Sequence, residues 1–257
     1  MSPPPRPPEP QPLVPQPGDV RAFTHERRAG VAEVGPSGRL RLDSIARWAQ
    51  DVAWADVEDA GLRELAVWLV RRTRIRVRRF PRLDRDYALT TYVTGLGRMW
   101  AERRTDIVLS GESSPAVEVA CIWVHIDPER QLPTPIHQIE IDTWCGESTR
   151  PVRARLRHPA PPAEAERRRW AFRRVETDIA LHVNNAAYFT PFDEELLLAD
   201  EPTGEESPVD IEIEYRTPAQ AGEKQVLQSG SMRWIAGSDA AGAEEVHASA
   251  ALLQWPA

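Results

Sequence analysis

The chain has 257 residues, 41% of them hydrophobic and nine of them tryptophan, which is enough to bury one large core or two smaller ones. A net charge of -7 argues against a general nucleic-acid binder, and no apolar run approaches the ~20 residues needed to cross a bilayer. Two cysteines, Cys121 and Cys145, offer neither a disulfide framework nor a metal-ligand spacing, so a reducing, cytoplasmic address is expected.

Residues 1–18, MSPPPRPPEPQPLVPQPG, carry proline at almost every second position and read as a disordered or polyproline-like tail. The globular text begins at Asp19. A helix is expected from about Asp43, capped by Asp43 or Ser44, with Ile45, Trp48, Ala49, Val52, Ala53 and Val57 on one apolar face. After Gly61 the period changes to two. WLVRRTRIRVRRF, YALTTYVTGLG, AERRTDIVLSG and AVEVACIWVHID read as four strands separated by Pro, Asp and Gly turns. Residues 136–164, ending in HPAPPAEAE, read as a linker. The second half then repeats the order: a strand around RRRWAFRRVE, a helical stretch after His182, and strands at VDIEIEYR, KQVLQSGSMRWIA and EEVHASAALLQW. Either a tandem duplication or two unrelated α+β units explains this repetition.

Arginine supplies nearly all the positive charge, Lys224 being the only lysine. Arg72, Arg74, Arg76 and Arg78 alternate with Ile75 and Val77, as on a strand with one solvated face. A docking surface for an acidic partner is the functional alternative for the run that continues through Arg79, Arg82 and Arg85.

Chemistry concentrates in TDIALHVNNAAY, Thr177 to Tyr188. His182 can take or give a proton near neutral pH, Asp178 can orient it or activate water, and Asn184 and Asn185 can cap a helix or bind substrate. No G-x-S-x-G elbow and no phosphate loop is present. The other histidines, His25, His125, His137, His158 and His247, are expected to be surface or structural groups.

The spacing Asp178-x-x-x-His182-Val183-Asn184-Asn185-x-x-Tyr188 resembles the signature of the acyl-ACP thioesterase family. Glu214-Tyr215-Arg216, Val226 to Ser229, Gly38 to Leu40, Trp68 to Val70 and Trp123 to Asp127 support it. The resemblance implies an α+β fold of two tandem hotdog domains, each a long helix wrapped by an antiparallel sheet, paired as an internal pseudo-dimer. An N-terminal domain at 19–135 would shape the acyl pocket, with Trp48, Trp54 or Trp100 as candidate wall residues and ordinary core packing the expected role for each, and a C-terminal domain at 165–257 would carry the reaction. It also implies hydrolysis of fatty acyl thioesters on acyl carrier protein (or coenzyme A) without cofactor or metal, in a monomer or homodimer. Asp178, His182 and Gln220 would be catalytic, Asn184, Asn185 and Tyr188 would bind substrate, and Arg74, Arg76 and Arg78 would dock the carrier. Ala180 replaces the asparagine that plant members carry between the acid and the histidine, and Gln220 replaces their glutamate, with Ala221 where many have cysteine. These changes motivate two alternatives, a slow enzyme or an acyl-thioester-binding protein without turnover. Pro191 implies an interrupted helix whose second segment starts with Thr190 as cap, Pro191 at its first position and Asp193 in its first turn.

Overall fold

The structure, a computed structural model, describes residues 5–199, 208–239 and 241–255. In the first half β1 (Ala22–Arg28) precedes α1 (Leu42–Asp59), followed by β2 (Val67–Val77), β3 (Asp86–Leu96), β4 (Trp100–Leu109) and β5 (Val117–Ile126). A short α2 (Gln138–Trp144) and β6 (Arg150–Pro151) lie in the crossing to the second half. There, β7 (Glu166–Phe172) precedes α3 (Thr190–Ala199), β8 (Val209–Tyr215), β9 (Gly222–Ser229), β10 (Met232–Ser238) and β11 (Glu244–Gln254). The four strands expected between Gly61 and Asp127 are all present. KQVLQSGSMRWIA is a hairpin rather than one strand, because Gly230 takes a φ of 56° at its turn.

Among the described residues the eleven strands form one sheet, in the order β1-β3-β4-β5-β2-β8-β11-β10-β9-β7, with β6 beside β3. Read from its two edges inward the order is the same in both halves, so the molecule is a tandem pair of hotdog units fused through β2 and β8. The seam is written in charge: Arg72 faces Glu214, Arg74 faces Glu212 and Arg76 faces Asp210, all on the outer face. The alternate residues Ile75, Val77, Val209, Ile211 and Ile213 turn inward to a core shared with Ile45, Trp48, Ala49, Val52, Tyr188, Phe189 and Phe192.

This outer face is not solvated as the alternation suggested. Arg72 and Arg74 are buried, and Arg74 holds Asp210 through two hydrogen bonds of 2.8 and 2.7 Å. Two segments cover the face. The described part of the proline-rich stretch lies against it, the Gln11 and Val14 carbonyls accepting from Arg74 (2.5 Å) and Arg104 (2.6 Å). The 136–164 crossing packs as well: Trp144 and Ile136 are buried, and the Arg157 and His158 amides donate to Glu214 at 2.8 to 2.9 Å. Periodicity within β2 could not show that distant segments lie over it.

Candidate active site

The motif occupies a loop between β7 and α3 whose backbone recurs in the first half. Glu176 caps the Arg173 amide as Glu33 caps that of Gly30. Asp178 donates its amide to the His182 carbonyl as Gly35 does to Arg39. Val183 donates to Ala219, and Asn184 to Glu176, as Leu40 donates to Pro81 and Arg41 to Glu33. The Thr177–Val183 bridge matches Val34–Leu40. By this equivalence Gln220, which follows Ala219, corresponds to Arg82, which bridges Arg39 in the first half; among the described residues no such bridge joins Gln220 to His182. At the tip Gly38 takes a φ of 76° without strain, but its counterpart is Leu181, at 61°. A branched side chain there costs roughly 1–2 kcal/mol.

The tip is open, with Ile179 98% and Leu181 75% exposed. Asp178 is half-buried and committed to the loop: one carboxylate oxygen accepts the Ala180 amide at 2.9 Å, the other the Asn184 side-chain amide at 3.3 Å. Asn184 in turn caps the following helical turn, its Oδ1 accepting from the Ala186 amide at 2.9 Å. Ala180 thus supplies an amide where a side chain was sought. Among the described residues the half-buried His182 imidazole makes no hydrogen bond or ion pair, so the loop brings Asp178 to Asn184 and leaves His182 free. The Asn185 side chain is likewise unpaired, while its carbonyl accepts from the Tyr215 hydroxyl at 3.1 Å. Gln220 is exposed, with its side-chain amide unpaired among the described residues.

Two site expectations need correction. Tyr188 is a core residue: it is 2% exposed, its hydroxyl accepts the Ala219 amide at 3.0 Å, and burial raises its pKa to about 12. It ties the helix start to the β8–β9 loop and cannot face a substrate. Arg74 is sealed in its pair with Asp210, and Arg76 is one-third exposed beside the same carboxylate. Arg78 alone of the three is mainly exposed, paired with Glu118 at 2.7 Å. Arg78, Arg79, Arg82 and Arg85 line a shallow depression of about 350 Å³.

The interrupted helix is present. A 3-10 turn, Asn185–Phe189, runs into α3 at Thr190, whose hydroxyl donates to the Ala187 carbonyl at 2.7 Å. Asp193 does something the sequence did not reveal. Its two oxygens accept the Leu42 and Asp43 amides at 2.8 and 3.1 Å, so this residue of the second half caps α1 of the first. Neither Asp43 nor Ser44 is the cap; the N-cap position is Arg41. Burial, with the Asp43 charge adding to it, pushes the Asp193 carboxyl up to about 7 against the opposing pull of those two amides.

An open groove of about 1170 Å³ runs beside the motif, lined by Trp170, Arg173, Val175, Glu176, Thr190 and Lys224 among others. Of the three tryptophans considered for the pocket, Trp48 takes the core role expected of it. Trp48 is fully buried and donates to Glu33, Trp54 is half exposed beneath Arg63, and Trp100 donates to the Val152 carbonyl.

Residues 21–144 match the sequence pattern of the acyl-ACP thioesterase N-terminal domain. The first half of the chain therefore resembles the N-terminal domain of the acyl-ACP thioesterases. An acyl-ACP thioesterase from Bacteroides thetaiotaomicron shares the fold at a TM-score of 0.71 and 17% identity, over 90% of this chain and 96% of that one. The 12:0-ACP thioesterase from Umbellularia californica does so at 0.67 and 15%, over the same shares. An uncharacterised protein of Mycobacterium tuberculosis is 27% identical over 214 residues, 82% of this chain and 83% of its own length. The motif from Asp178 to Tyr188 lies in the copy that this pattern does not cover.

Proposed function

We propose that this protein hydrolyses fatty acyl thioesters, with acyl carrier protein as the preferred carrier, at the loop from Asp178 to Asn185. The observation that carries the reading is the division of labour in that loop. The Asp178 carboxylate and Asn184 hold the helix start, leaving the His182 imidazole and the Asn185 amide free at an open edge. A thioester carbonyl set against the start of the 3-10 turn would meet the Asn185 side-chain N–H as negative charge develops on its oxygen. His182 would then take the proton of the attacking water and return it to the departing thiolate. Gln220, equivalent in position to Arg82, could orient that water through its amide but cannot accept its proton.

The carrier would approach over the exposed arginines. Arg78, Arg79, Arg82 and Arg85 present positive charge around their depression, and the apolar tips Val175, Ile179 and Leu181 stand free beside the site. Attraction of this kind speeds encounter with an acidic carrier. A cytoplasmic setting accords with this substrate, and among the described residues no helix is long and apolar enough to cross a membrane.

One observation favours binding without turnover: among the described residues no carboxylate contacts His182. Thiol release from a panel of acyl-ACP and acyl-CoA substrates of graded chain length separates the readings. Chain-length-dependent release, faster from acyl-ACP, is expected. Tight binding of a non-hydrolysable acyl thioester with no release from any substrate would establish the binding reading, and faster release from acyl-CoA would change the carrier.

A further inference from the structure

The end of β5 and the start of α2 bring together three groups that the reaction does not use. His125 is fully buried, and its Nδ1 lies 3.0 Å from the Thr134 carbonyl oxygen. That acceptor places the proton on Nδ1, so the neutral ring carries its bare lone pair on Nε2. Nε2 has no hydrogen-bond partner, although Oε2 of the buried Glu140 approaches it to 3.0 Å. The contact is close but lies off the direction in which a ring N–H would donate. Oε2 of Glu140 also accepts the His137 amide at 3.1 Å, while Oε1 is buried and unpartnered. His137 is exposed and meets the His125 ring edge to face, with centroids 5.2 Å apart. One ligating atom from each of the three residues lies within 4.8 Å of the other two.

A buried imidazole nitrogen 3.0 Å from a buried carboxylate, with no aligned hydrogen bond between them, is poorly satisfied unless the ring is protonated or a metal cation lies between them. Their 3.0 Å separation is near the roughly 3.3 Å expected for neighbouring ligands of a tetrahedral ion with bonds of about 2.0–2.1 Å. We propose that His125, His137 and Glu140 form a site for a divalent transition metal. Zinc suits two imidazoles and one carboxylate, with the remaining position open to water beside His137. Thr134 acts behind the site, fixing the tautomer and orientation of His125. The ion would fasten α2, and with it the crossing between the halves, to the last residues of β5. No sequence spacing reveals the site, because two ligands lie at a helix start and the third lies on a strand.

A second histidine and carboxylate cluster, His158 with Glu212 and Glu214, sharpens the contrast. There Arg157 reaches Glu212 at 3.0 Å and Arg72 stands 3.9 Å from it, while Glu214 accepts the Arg157 and His158 amides. Arginine already supplies the positive charge in that cluster. Around Glu140 no arginine contact occurs among the described residues.

The test uses the full chain without a polyhistidine tag, stripped with chelator and titrated with zinc against a chromophoric competitor, with elemental analysis of the dialysed protein. One zinc per chain is expected, together with a higher Tm on loading. Both should be lost in Glu140→Gln and weakened at least ~10-fold in His137→Ala. His137 is exposed, so His137→Ala keeps its fold, checked by circular dichroism, and remains informative if Glu140→Gln does not fold. Cobalt loading should give intense visible bands that His137→Ala loses. Wild type without stoichiometric zinc would overturn the proposal, leaving a buried His125–Glu140 ion pair. So would zinc bound as tightly by His137→Ala as by wild type.

Discussion

The loops 33–43 and 176–186 make the same backbone hydrogen bonds in the two halves, yet their side chains have opposite uses. In the first half the tip positions are Gly35, Gly38 and Arg39; in the second they are Asp178, Leu181 and His182. The first loop relaxes its backbone with glycine and stacks Arg39 over the Phe80 ring at 4.8 Å. The second accepts a strained leucine and leaves its histidine unpaired. The helix starts differ in the same sense. The Leu42 and Asp43 amides are taken by the Asp193 carboxylate from the other copy, whereas Asn184 caps its own turn from within the loop. Backbone geometry alone therefore does not make a site; what matters is whether the polar groups at the helix start are already satisfied.

The comparison can be broken at several points. The largest effect should come from the seam joining the halves. Arg74→Ala leaves Asp210 buried with less compensation and should cost ~3–5 kcal/mol in denaturant unfolding, while Arg78→Ala, at an exposed pair, should cost under ~1 kcal/mol. Equal costs would show that the outer face is not sealed as described. Next comes the loop itself. His182→Ala and Asp178→Ala should each lower turnover at least ~100-fold. Arg39→Ala, at the equivalent position, should lower stability and leave turnover of the folded enzyme nearly unchanged. Similar losses in all three would mean that both copies take part in the reaction.

Asp193 gives the third test. Its folded pKa lies above that of a carboxyl in the unfolded chain, so the native state binds the extra proton. Its contribution is therefore greatest below about pH 4, falls as pH rises, and is lost by about pH 7. The Tm should decline over that interval, with Asp43 and Arg41 the charged neighbours that modulate it. Asp193→Asn should flatten the slope; an unchanged slope would assign the titration elsewhere. The smallest effect is a gain. Ala180→Asn with Gln220→Glu adds one polar side chain and one proton acceptor, and should raise turnover several-fold with little change in KM. A slower double variant would mean that the existing Ala180 amide contact to Asp178 already holds the best arrangement.

Much of this architecture was legible. The period-two segments gave the strands, the apolar stripe from Ile45 to Val57 gave α1, and Pro191 gave the break before α3. Asp178, His182 and Asn184 stood out because their local spacing resembles a family signature, and their roles are those proposed above. What remained hidden depends on contacts between distant segments. Arg74 looked solvated because its cover comes from residues near 11, and Tyr188 looked available because its partner, Ala219, lies on another loop. Asp193 showed only its place in a first turn, while its hydrogen bonds go to a helix begun 150 residues earlier. A single strand's alternation reports which residues share a face but not what lies over that face.

The proline-rich stretch over the outer face has a consequence of its own. Prolines lack an N–H, so this segment can receive hydrogen bonds but has few to return, and the arginines it covers are all donors. The exchange runs one way, from guanidinium to carbonyl. A covering of that kind shields charged side chains from water without offering the two-way ladder that recruits another strand. The protein thereby gains a wrapping that no neighbouring chain can extend.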